Sequence, residues 1–198
     1  MNKESNARGG NYAFIDNQNL NLGVQKVGWK LNWRKFREFL RDKYEVEKAF
    51  MFIGYMPDYE DLYDQMHELG YLVVLKPTLQ MRDMLIEGTP PKEKPTPKED
   101  DDKKPAVKGN VDAELVLYAV KEMPNYNKAI VVSGDGDFYS LVEYLAEKHK
   151  LLHLMTPNRQ YSTLLRPFDD YIVRLDQHRR ELRYFTKNPR GDKNESRK

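Results

Sequence analysis

Short apolar runs alternate along the chain with stretches in which apolar residues recur every three or four positions. Tyr12–Ile15, Val46–Ile53, Tyr71–Leu75, Ala129–Val132 and Leu151–Met155 each read as a buried strand, and Tyr171–Val173 as a short sixth. Between them, Trp33, Phe36, Phe39 and Leu40 fall at helical spacing. So do Leu62, Met66 and Leu69, then Leu115, Leu117, Val120 and Met123, then Leu141, Val142 and Leu145. Gly70 stands where a helix-ending glycine is common. Strand and helix in alternation imply a three-layer α/β domain: a central, mostly parallel sheet with helices on both faces, joined by right-handed crossovers.

One segment breaks this rhythm. Gly88–Val107 holds five prolines, five acids and five lysines, with no aromatic residue, so it cannot bury enough apolar surface to offset its ordering entropy. It reads as a mobile surface insertion, either a plain solvated loop or a flap over a neighbouring site. The expected organisation is a flexible leader over residues 1–10, one domain over 11–175, and a basic C-terminal helix with a disordered tail over 176–198.

Composition narrows the classes. The 198 residues suffice for one domain with tails. Having no cysteine, the chain lacks disulfides, thiolate zinc sites and cysteine nucleophiles. No apolar run approaches the ~20 residues of a membrane span, and residues 1–10 lack the apolar core of a signal peptide. A cytoplasmic protein with no membrane partner is expected.

Candidate chemistry lies after the strands. Open parallel sheets bind ligands beyond the carboxyl ends of their strands, where the strand order reverses. Strand one is followed by Asp16-Asn17-Gln18-Asn19, and strand four by Ser133-Gly134-Asp135-Gly136-Asp137-Phe138. In an order 3-2-1-4-5 these two turns meet, gathering Asp16, Asp135 and Asp137. Asp112 opens the helix expected over Asp112–Met123 that leads into strand four; Glu114, two residues on, falls on another face. Carboxylates brought together repel unless a cation sits among them. Oxygen-only ligands suit a hard ion such as Mg²⁺ or Mn²⁺, and phosphodiester hydrolysis is the chemistry that fits. A plainer reading stands beside this one: Asp137 caps the following helix, and Gly134 and Gly136 supply turn conformations. His67, His149, His153 and His178 adjoin neither turn and read as structural. No Ser-His-Asp arrangement, P-loop or Gly-x-Gly-x-x-Gly motif is present.

Three blocks carry a family resemblance: Phe14–Leu20 (FIDNQNL), Lys108–Asp112 (KGNVD) and Val131–Phe138 (VVSGDGDF). In this order they resemble the motifs of the NYN domain, in particular its LabA-like (DUF88) branch, across roughly residues 10–175. The resemblance implies a PIN-like, Rossmann-like fold and a Mg²⁺- or Mn²⁺-dependent ribonuclease, taken as an endonuclease. It makes Asp16, Asp112, Asp135 and Asp137 the metal-binding, catalytic acids. Asn17 and Asn19 would support the first turn, Ser133 would shape the last, and Lys108 would approach a substrate phosphate. Many members carry a further acid six residues after the position of Asp112, where this chain has Tyr118.

Charge is unevenly spread. The whole chain has 33 basic and 31 acidic side chains, a net of +2, yet Arg174–Lys198 alone carries nine basic residues against four acids. Phosphate contacts dominate nucleic-acid affinity, so Arg179, Arg180 and Arg183, with Tyr184 and Phe185 nearby, are candidates for holding single-stranded RNA. A solvated terminal helix is the plainer reading. A second group, Lys30, Arg34, Lys35, Arg37 and Arg41, is interleaved with Trp29, Trp33 and Phe36; there the aromatics are expected in the core and the cations in water. The alternative function is a non-catalytic RNA-binding or regulatory module of the same fold, and a homodimer is left open. A haloacid-dehalogenase-type phosphatase would want a second Asp two residues after Asp16, and a Toprim protein a Glu in its place.

Overall fold

A computed structural model of the chain describes residues 9–54, 59–76 and 111–184. The expectations for the Gly88–Val107 insertion, for Lys108 and for the chain after Tyr184 lie outside these residues.

Six strands form one wholly parallel sheet: β1 (Asn11–Asp16), β2 (Val46–Gly54), β3 (Tyr71–Lys76), β4 (Ala129–Val132), β5 (Leu151–Thr156) and β6 (Ile172–Arg174). Their order is β3-β2-β1-β4-β5-β6, which contains the 3-2-1-4-5 order under which the two polar turns meet, with the sixth strand added beside β5. Every residue of β1 and β4 is buried, as apolar strands covered on both faces should be.

Alternation along the strands sorts side chains to two cores. Ala13, Ile15, Ala49, Met51, Ile130 and Val132 face one layer. This layer is made by α1 (Asn17–Lys26), α2 (Trp33–Tyr44) and α3 (Glu60–Glu68). Phe14, Phe50, Phe52 and Val131 face the other, covered by α4 (Asp112–Lys121) and α5 (Tyr139–Glu147). On that side Phe14 stacks on Phe50, ring centroids 5.5 Å apart. The change of face falls between β1 and β4, so the switch point lies at their carboxyl ends.

Three local expectations are revised. The residues after β1 are not a turn: α1 starts at once, with Asp16 as its N-cap. The inward face of α4 is Leu115 and Ala119, while Leu117 and Val120 are exposed. Arg37 is half-buried rather than fully solvated. Its guanidinium donates to the carbonyls of Gly70 (3.0 Å), Val46 (3.2 Å) and Glu47 (2.9 Å), tying α2 to the start of β2 and to the residue before β3. Trp29 and Phe36 are in the core as expected, and Arg41 pairs with Asp42. Gly70 does end α3, at a φ of 85° where only glycine is unstrained.

The C-terminal segment closes the first layer. After β6 the chain makes a 3₁₀ turn and a short helix, α6 (Arg179–Leu182). Leu31 and Arg183 then form an antiparallel bridge, flanked by bonds from Asn32 N–H to the Leu182 carbonyl (2.8 Å) and from Tyr184 N–H to that of Lys30 (2.8 Å). Leu175 and Leu182 are fully buried beneath it.

The Arg37 clamp yields a stability prediction. Hydrogen bonds from a charged donor contribute about 1.5–3 kcal/mol each when lost unreplaced, so Arg37→Met should lower the free energy of unfolding by about 2 kcal/mol or more. A denaturant titration checks this, and an unchanged midpoint would return Arg37 to a surface role.

Candidate active site

Asp16 and Ser133 end up neighbours because β1 and β4 pair in register, Ile15 opposite Val132. Asp16, the last residue of β1, is only 5% exposed. Its Oδ1 accepts from the Asn19 N–H (3.0 Å) and so caps α1; its Oδ2 accepts from the buried Ser133 hydroxyl (3.1 Å). The Ser133 Oγ in turn accepts from the Asp135 N–H (3.2 Å). Asn19 returns the link, its Oδ1 accepting from the Gly134 N–H (2.9 Å). Four bonds thus lock the turn after β4 onto the first turn of α1.

The acidic turn itself divides its labour. Asp135 is the cap: its Oδ1 accepts from the Asp137 N–H (3.1 Å) at the head of the 3₁₀ turn Gly136–Phe138. The plainer of the two readings gave that role to Asp137, which instead is exposed and makes no side-chain bond among the described residues. Neither Gly134 nor Gly136 has a positive φ. They are needed for close approach: a Cβ on Gly136 would run into Ser162, and one on Gly134 would lie 3.2 Å from the Cβ of Tyr161.

Above this network opens a cleft of about 380 Å³. Asp16, Asp112, Asp135 and Asp137 line it, together with Asn19 and with Gln18, Leu22 and Val111. All four acids named from the sequence therefore face one space. Burial is the main reason the Asp16 carboxyl titrates above the ordinary carboxylate range. The bonds from Asn19 and Ser133 act against that shift, and the charges of Asp112 and Asp135 add to it.

The remaining expected site residues are placed differently. Ser133 lies buried beneath the cleft, Asn17 is half-buried beside it, and Lys108 is outside the described residues. Arg179, Arg180 and Arg183 do not line the cleft; Arg179 donates to the Gly28 carbonyl (2.9 Å). Glu114 turns away to pair with Lys76 at 3.2 Å. Tyr118 packs against Phe50 and Phe52, filling with an aromatic ring the position at which a further acid was considered. No histidine lines the cleft: His153 Nδ1 sits 3.3 Å from the Tyr171 carbonyl, and the His178 ring lies tilted against Phe39, centroids 5.0 Å apart. Gln18 and Leu22 went unnamed from the sequence; reading α1 as a helix would have put them on one face, four residues apart.

The donor set is wholly oxygen, which suits a hard divalent cation. Among the described residues no three acidic or histidine side chains stand close enough to enclose an ion. The set accordingly fits a hydrated Mg²⁺ or Mn²⁺ held through one or two carboxylates, the habit of Mg²⁺, better than a dry cage.

Two outcomes follow for stability. Ser133→Ala leaves the buried Asp16 one bond short and should cost about 1–3 kcal/mol in a denaturant titration. Because the Asp16 carboxyl titrates higher folded than unfolded, the folded state loses stability as pH rises from about 4, the unfolded value, through the raised folded one. Asp16→Asn keeps the cap without the charge, so it should be at least as stable as the parent at pH 7, and the advantage should vanish below pH about 4. A variant that loses stability at pH 7 relative to acid would contradict the burial argument.

Comparison with known proteins agrees with the fold and the motifs. The chain is 24% identical over 170 residues to the low amplitude and bright protein LabA of Synechococcus elongatus, covering 84% of this chain and 83% of that protein. A crystal structure of a protein of unknown function from Vibrio parahaemolyticus superposes with a TM-score of 0.61 at 21% identity, covering 89% of this chain and 97% of that one; at that identity it supports the fold alone. The model of the NYN domain, within the PIN-like nuclease superfamily, matches residues 12–176. Spanning most of the chain and both acidic turns, that match makes this protein a member of the NYN domain family.

Proposed function

We propose that the protein is a Mg²⁺- or Mn²⁺-dependent ribonuclease that hydrolyses phosphodiester bonds of single-stranded RNA in the aspartate-lined cleft. The observation that carries this reading is the convergence of Asp16, Asp112, Asp135 and Asp137 on one cleft at the switch point. There the charges of Asp112 and Asp135 disfavour ionisation of Asp16. A site that gathers like charges at a cost in free energy is built for a cation that relieves it.

When bound, such a cation activates water and neutralises charge developing on the phosphoryl oxygens. The chain's own part is positional. Asp16, fixed by Asn19 and Ser133, is the rigid anchor on the sheet. Asp135 is held by its own turn, Asp112 approaches from the head of α4, and exposed Asp137 is the group free to move with the substrate.

The test is cleavage of a labelled single-stranded oligoribonucleotide by protein freed of contaminating nuclease. Addition of EDTA should abolish cleavage. Asp135→Asn and Asp16→Asn should each reduce it about 100-fold or more while unfolding cooperatively like the parent. Full activity in either variant would remove the cleft from the reaction.

The basic C-terminal segment, nine basic residues against four acids over Arg174–Lys198, favours a second reading, a non-catalytic RNA-binding module. It is tested by deleting residues 185–198, a cut that spares the Leu31–Arg183 bridge. On this reading the deletion should abolish RNA binding and no divalent cation should support cleavage; metal-dependent cleavage would eliminate it.

A further inference from the structure

We propose that Gln18 and Leu22 form a nucleoside-contacting wall of the cleft, Leu22 lying against the face of one base or its ribose and Gln18 hydrogen-bonding a base edge. The inference rests on the reading of the cleft as an RNA site and extends it to how the strand is gripped.

Three observations converge. First, every charged side chain lining the cleft is acidic; among the described residues no lysine or arginine does so. The grip that the described residues give a strand there therefore comes from uncharged groups. Second, α1 supplies them. Gln18 and Leu22 stand one helical turn apart and both line the cleft. The neighbouring carboxamides of Asn19 and Asn21 are committed, one to Gly134 and the other to Gln25, whereas that of Gln18 makes no hydrogen bond among the described residues. A free carboxamide offers both donors and acceptors, as single-stranded base edges require. Third, Leu22 is 57% exposed. A lone surface leucine needs no explanation, but this one stands in a concave site lined mainly by carboxylates and carboxamides, where the face of a base would cover it.

The geometry also fixes the wall against the reacting groups. Asp16 caps the same helix through Asn19, so the wall and the anchoring carboxylate belong to one rigid unit. A nucleoside held by Gln18 and Leu22 would place its phosphate toward Asp112 and Asp135.

The experiment compares the parent with Leu22→Ala, Gln18→Ala and Gln18→Glu, using labelled single-stranded oligoribonucleotides and MnCl₂. Leu22→Ala should raise KM about tenfold, the scale of one lost apolar contact, and should weaken oligonucleotide binding by fluorescence anisotropy to match. The Gln18 variants should redistribute the cleavage positions among the four nucleotides. Unchanged KM and cleavage map in all three variants, with the parent active, would overturn the wall and leave the ribonuclease reading intact. If the parent binds RNA without cutting it, the ribonuclease reading falls and anisotropy alone decides: weaker binding by Leu22→Ala upholds the wall, equal binding overturns it. A parent that neither binds nor cuts overturns both. Because both side chains are solvent-facing, an unchanged melting temperature separates these effects from misfolding.

Discussion

A carboxylate withdrawn from water must be given hydrogen bonds in return, and Asp16 receives two of different origin. One comes from the helix that begins immediately after it; the other comes from the hydroxyl of a residue 117 positions away, just past the end of the neighbouring strand. The first fixes where α1 starts and the direction in which it leaves the sheet. The second fixes the loop after β4, since Ser133 also receives the N–H of Asp135. Both halves of the domain are thereby referenced to one buried charge. The arrangement is demanding: desolvation opposes the ionised form, and the fold tolerates this at the one place in the sheet where strand order reverses and a ligand can be reached.

The distribution of charge follows from the same geometry. Acids crowd the cleft, while uncharged Gln18 and Leu22 make its α1 side. The basic residues of the C-terminal segment belong in part to the scaffold: Arg179 is bonded to Gly28 and Arg174 to Asp176. A net of +2 therefore conceals a negative site that is not diluted by nearby cations among the described residues. In such a field the sign of the partner is set by what the cleft binds first.

The sheet was legible because its strands are covered on both faces and so appear as unbroken apolar runs; Ala129–Val132 needs only four residues to be recognised. The order 3-2-1-4-5 was a premise, the one under which the two acidic turns meet, and the sheet has it with β6 added. α1 was missed because its sequence, NQNLNLGVQK, contributes only Leu20 and Val24 to the core and carries three asparagines and a glycine, residues of poor helix propensity. What holds it is the cap at Asp16, a tertiary feature as much as a local one. The phase of α4 was misjudged because its inward residue is the small Ala119 rather than the larger Leu117. Arg37 was read as solvated because nothing in a sequence shows that the starts of two strands will present three carbonyls to it. The four aspartates named from the sequence do line one cleft, but the separate settings of Asp16, Asp135 and Asp137 depend on bonds that no local pattern reveals.

The bridge between Leu31 and Arg183 joins residues 152 positions apart, which has a consequence for the order of assembly. A chain emerging from the ribosome can pair β1 with β2 early and add β4 and β5 as they appear, since domains mature from the N-terminus during synthesis. The link between α1 and α2 stays without its cover until residue 184 has been made. The segment that follows α1 is thus among the first written and among the last to be covered. A nascent protein would complete its acidic cleft, whose α1 is already held by Asp16, Gly134 and Asn158, before the entrance to α2 is closed by the far end of the chain.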